Sequence, residues 1–79
     1  MEREITYKIR PSDDCKAYMN IVIWETEYGC CLRYDGFNDN LDADAMYINR
    51  VFDVHNFEDG VKRALNYIKK HNYFVKEVV

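Results

Sequence analysis

The chain has 79 residues, a formal net charge of −3, 48% hydrophobic and 15% aromatic residues, three Gly and one Pro. This describes a single domain over residues 1–79, and it excludes a disordered tail, a collagen-like repeat and a strongly basic nucleic-acid binder. No apolar run approaches the roughly 20 residues that cross a bilayer. The first thirty residues hold no secretory pattern either and no membrane partner is expected; three cysteines in a spacing that does not suit disulfides make the expected compartment cytoplasmic.

Residues 2–10 alternate, with Ile5, Tyr7 and Ile9 on one face and Glu4, Thr6, Lys8 and Arg10 on the other. That period of two predicts a half-buried strand. Pro11, Ser12, Asp13 and Asp14 are turn formers and end it. Residues 15–25 read as a second strand, with Ala17, Met19, Ile21 and Ile23 on one face and Tyr18, Asn20, Val22 and Trp24 on the other. Apolar groups on both faces place it centrally in a sheet. Thr26, Glu27, Tyr28 and Gly29 make a hairpin connection, with Gly29 free to take positive φ. A third strand over about 30–35 sets Cys30, Leu32 and Tyr34 opposite Cys31, Arg33 and Asp35.

From Gly36 to Met46 the chain is polar, acidic and Asn-rich, and reads first as a loop. Leu41, Ala45 and Ile48 at helical spacing make a short helix the second reading. Residues 47–54 read as a fourth strand. The period then changes: Phe57, Val61, Ala64, Leu65 and Ile68 form one helical stripe. Asn56 is placed to cap that helix, and Glu58 and Asp59 suit its positive end. Lys69, Lys70 and His71 suit the negative end, and Asn72 can close it in the left-handed conformation. Gly60 in the first turns costs about 1 kcal/mol relative to Ala. Residues 73–79 return as a strand.

The expected fold is therefore α+β: a mostly antiparallel four- to five-stranded sheet with one amphipathic helix packed on one face, in the order β-β-β-β-α-β. Three cysteines, Cys15, Cys30 and Cys31, make a poor disulfide framework, because two are adjacent and point to opposite faces of a strand. They read as reduced thiols. With His55 and His71 they lack zinc-ligand spacing, and no cofactor is called for.

One helix covers one sheet face. Tyr18, Val22 and Trp24 lie on the other, where either the 36–46 segment or the last strand covers them or they form a partner-binding patch. Charge is divided as well: residues 35–59 carry a net −6 and residues 60–79 a net +4. Asp39, Asp42 and Asp44 within that acidic arc are candidates for steering a charged partner.

Catalytic signals are absent. An EF-hand loop beginning at Asn38 would require Gly and Glu where Ala43 and Asn49 stand. Ser12 is the lone serine, and the sequence contains neither a P-loop nor a dinucleotide-binding glycine motif. Sheet-borne Tyr18 and Trp24 could stack bases, but Glu25, Glu27 and Asp35 surround them, which argues against direct nucleic-acid binding. Asn, Lys, Ile and Tyr make up 26 of the 79 residues, as in AT-rich genomes. In outline the layout resembles small phage and mobile-element proteins, anti-CRISPR inhibitors among them. The absence of catalytic signals, the apolar aromatic patch and the acidic arc together point to a non-catalytic protein-binding module, inhibitor-like in the manner of that likeness, that blocks a larger nucleic-acid-handling or defence protein. Tyr18, Val22 and Trp24 would be its anchors and Asp39, Asp42 and Asp44 its acidic surface. A homodimeric regulatory or antitoxin-like domain, with the Trp24 face self-associating, is the alternative. A single-stranded nucleic-acid binder is the third reading.

Overall fold

Alternation of apolar and polar residues decides which side of each strand is buried. In the computed structural model, which describes residues 2–14, 18–36 and 50–79, β1 (Glu4–Arg10), β2 (Met19–Thr26) and β3 (Gly29–Gly36) follow that alternation closely. Tyr7, Ile9, Met19, Ile21, Ile23, Cys30, Leu32 and Tyr34 are buried on one face. β4 (Arg50–Val54), α1 (Phe57–Lys70) and β5 (Phe74–Val78) complete the β-β-β-β-α-β order. The sheet order is β4-β3-β2-β1-β5, and every ladder is antiparallel. The expected fold class is the one observed.

β2 is the central strand, as its two apolar faces required. Its turn into β3 contains only Glu27 and Tyr28, because Thr26 already pairs with Gly29. The Thr26 hydroxyl accepts from the Tyr28 N–H at 3.1 Å, and Gly29 takes a φ of 154° that L side chains rarely adopt.

Asn56 caps α1 as expected, its Oδ1 accepting from the Asp59 N–H at 2.7 Å. Asn72 has φ 55° and terminates the helix. The N–H of Tyr73 donates to the Ile68 carbonyl at 3.0 Å and that of Asn72 to the Lys69 carbonyl at 3.2 Å. These two bonds satisfy carbonyls that the last turn would otherwise leave open.

α1 packs over β2, β3 and β4. Gly60 makes this close approach possible, since a Cβ there would sit 2.7 Å from Ile23 Cγ2 and 3.3 Å from Val54 Cγ2. The helical stripe needs one correction. Ala64 and Ile68 are buried and Phe57 and Val61 pack against the core, but Leu65 is 47% exposed. Tyr67, on the opposite rim of the helix, meets Tyr34 of β3 with ring centroids 4.7 Å apart. The Leu65 rim therefore lies outside the strip of sheet that the helix covers.

The second strand is shorter than the expected 15–25 span: its described part begins at Met19, and Cys15 and Ala17 lie outside the described residues. The described part of the fourth strand begins at Arg50. The 36–46 segment, read as loop or short helix, falls almost wholly outside the described residues, as do Tyr47 and Ile48.

Candidate functional site: the open sheet face

The strand register assembles the face opposite α1 into cross-strand rows. Glu4, Trp24, Cys31 and Asp53 form one row, and Thr6, Val22, Arg33 and Val51 the next. Lys8, Asn20 and Asp35 form a third, which Glu77 of β5 extends. No described element lies over these rows. β5 could have covered the face but instead pairs edgewise with β1.

Val22 and Trp24, two of the three anchors named from sequence, are half-buried on the central strand, Val22 in the middle row and Trp24 in the row nearest the β2–β3 turn. Tyr18, the third, is 43% exposed and stands six residues from Trp24. At about 3.3 Å per residue that is roughly 20 Å along the strand. Val22 lies between them, and Asn20 interrupts the apolar sequence, so the three do not make one contiguous patch. Asp39, Asp42 and Asp44 lie outside the described residues.

The structure brings Arg33 to Trp24, a pairing that sequence reasoning missed. Arg33 pairs directly with Val22, which places it diagonal to Trp24, and its guanidinium carbon lies 5.5 Å from the indole centroid. Its Nε donates to Asp35 Oδ2 at 2.8 Å. The carboxylate fixes the guanidinium so that it holds one side of the indole, a cation–π arrangement. The signal was present in the two-residue offset between Arg33 and the residue opposite Trp24, but only a known register exposes it.

Cys31 shares this face, whereas Cys30 is buried on the other, as adjacent strand residues must be. Both are free thiols. Burial pushes the Cys30 thiol above its ordinary range. Burial, the nearby Asp53 charge and a 3.8 Å contact from Cys31 Sγ to Asp53 Oδ1 push Cys31 up as well. Raised thiols are poor nucleophiles at neutral pH. Among the described residues no three His, Cys, Asp or Glu side chains converge as metal ligands. No helix among them is long and apolar enough to cross a membrane.

A second group lies at the far end of the same face. Lys8, Arg10, Tyr18 and Lys76 border a shallow depression, and Phe74 pairs with Arg10 beside it. The face thus offers an aromatic–cation pair toward the β2–β3 turn and a basic, aromatic corner at the other end. No family model, curated protein or solved structure matches the chain.

Proposed function

We propose that the chain is a small, non-catalytic protein-binding module that contacts its partner through the open sheet face. Its action in this reading is stoichiometric blockade of a larger nucleic-acid-handling or defence protein. The observation that carries it is Trp24, held under Arg33 on the central strand of a sheet face with no described element over it. Trp and Arg are among the side chains most enriched in residues that dominate binding energy, and they do so where a partner fully desolvates them. Arg33 neutralises Asp35, so at the Trp24 end of the face Glu4 and Asp53 leave a local negative balance, opposite the basic corner at the far end. A basic partner surface complements that charge, as a phosphate-handling groove would.

The test is matched capture. Wild-type and Trp24→Glu chains are immobilised at equal density, exposed to extract of the source cells, and the retained protein is quantified. The expected result is a partner retained in stoichiometric amount by the wild type and at least about tenfold less by the variant, in keeping with a hot-spot residue. Circular dichroism and a cooperative melt must show that the variant is folded. Equal retention by both chains, or an unfolded variant, removes the Trp24 face as the contact surface.

A further inference from the structure

β5 is an edge strand: among the described residues it pairs with β1 alone, and all five of its residues are exposed. Such an edge presents a row of backbone donors and acceptors to any strand that can match it. We propose that β5 pairs with β5 of a second copy of this chain about a two-fold axis, joining the two five-stranded sheets into one.

The strand is complementary to itself when turned around. In antiparallel pairing centred between Lys76 and Glu77, each Lys76 faces the Glu77 of the other copy, and each Val75 faces Val78. Opposite charges and apolar pairs across neighbouring strands each favour the ladder. Two-fold pairing also demands that facing residues lie on the same side of the sheet. In a regular strand Val75 and Val78, an odd number apart, would lie on opposite sides. Here the register shifts between Lys8 and Ile9, so that Glu77 pairs with Lys8 but Val75 with Ile9, leaving Lys76 as the extra residue. Val75 thus shares the helix side with Ile9, and Val78 shares it with Tyr7. Lys76 lines the depression at the sheet edge with Lys8, Ile9, Arg10 and Tyr18, and as the extra residue of the bulge beside Glu77 it shares the open side that Lys8, Arg10 and Glu77 occupy. Bulges and edge lysines often protect an edge from pairing. This one instead restores the parity that self-pairing requires.

Backbone polarity agrees. Thr6 and Val79 exchange hydrogen bonds, N–H to carbonyl, at 2.9 and 2.8 Å. Hydrogen-bonded and non-bonded pairs alternate along an antiparallel ladder, so the N–H and carbonyl of Val78, opposite Tyr7, point away from β1. Side chains do not stand in the way. α1 lies over β2, β3 and β4, so with strands about 4.8 Å apart the two helices of the pair would be roughly 25–30 Å apart, well beyond a helix diameter. Val75 and Val78 are 44% and 52% exposed in the single chain and would bury each other across the dyad. The present partners of the two charges are exposed and easily exchanged: Lys76 to Asp13 at 3.3 Å and Glu77 to Lys8 at 3.9 Å.

The experiment is light scattering across a concentration series on wild type, Lys76→Glu, Glu77→Lys, the Lys76→Glu/Glu77→Lys double variant and Trp24→Glu. A concentration-dependent wild-type dimer is expected. Each single reversal sets like charges face to face twice and should weaken the dimer about fivefold or more; the double variant should recover it, and Trp24→Glu should leave it unchanged. Amide exchange on the wild type reads the same interface without substitution: the Val78 N–H should slow as concentration rises. A wild-type monomer at all concentrations, a Val78 amide that exchanges at the same rate throughout, or a dimer lost only in Trp24→Glu would each overturn the proposal.

Discussion

Arg3 ties three elements together through one side chain. Its Nε and Nη2 donate to the two oxygens of Glu25 at 2.9 and 3.0 Å, and its backbone N–H donates to the same carboxylate at 2.8 Å. Nη1 reaches Glu58 at 3.0 Å, and the guanidinium lies 4.4 Å above the Phe57 ring. β1, β2 and the first turn of α1 thereby meet at one cation. The Arg3 hydrogen bond holds the Glu25 carboxyl below its ordinary range. Glu58 is lowered first by its own backbone N–H in the helical first turn and then by Arg3. A carboxyl whose pKa is lower in the folded state adds stability above its unfolded pKa, near 4.3, and loses it as pH falls through the folded value. The melting temperature of Arg3→Ala should therefore lie below that of wild type at pH 6, with the gap closing toward pH 3. A gap of constant size over that range would remove the carboxylates from the effect. Because Arg3 and Glu58 are solvent-exposed, added salt should narrow the gap at pH 6 as well.

At the scale of elements, α1 shows how far the sequence could be read and where reading stopped. Its cap at Asn56, its acidic first turn, its basic last turn and its left-handed closure at Asn72 were all local signals, and local geometry honours each. Gly60 also registered locally, as a cost to the helix. Its contribution is tertiary: it lets the helix axis approach Ile23 and Val54, a distance no helical periodicity encodes. Gly60→Ala should accordingly destabilise the protein by about 1–3 kcal/mol despite the better helix propensity of Ala, because Ile23 is fully buried and β-branched and cannot move aside. Denaturant unfolding measures this, and an unchanged or raised midpoint would show that the helix lifts off the sheet without loss. Leu65 failed in the opposite sense. Its spacing fits the stripe, but a stripe does not reveal how many strands lie beneath it. The site was legible to a similar depth. Alternation put Val22 and Trp24 on the face away from the core, yet the Arg33–Trp24 diagonal and the edge position of β5 depend on registers between strands, which a single chain of letters does not specify.

For the molecule as a whole, the order β4-β3-β2-β1-β5 has a consequence for how the chain acquires its fold. The β2–β3 ladder closes through a two-residue turn and β1–β2 through the short segment after Arg10, whereas β5 must wait for a helix to carry the chain from one edge of the sheet to the other. Loop closure over nearly the full sequence sets its entropic cost before any contact offsets it. The β2–β3 hairpin should belong to the folding nucleus and the β1–β5 ladder should form after the barrier. In stopped-flow kinetics, Ile23→Val and Leu32→Ala should therefore slow folding with φ of about 0.5–0.8, while Val75→Ala, opposite Ile9 in the β1–β5 ladder, should mainly speed unfolding with φ of about 0–0.3. Equal φ at all three sites would dissolve that order. Until the last strand arrives, β1 is itself the outer strand, with one flank of its backbone in water. The final step of folding is thus also the interval in which the nascent sheet is most open to recruiting a strand from a neighbouring chain.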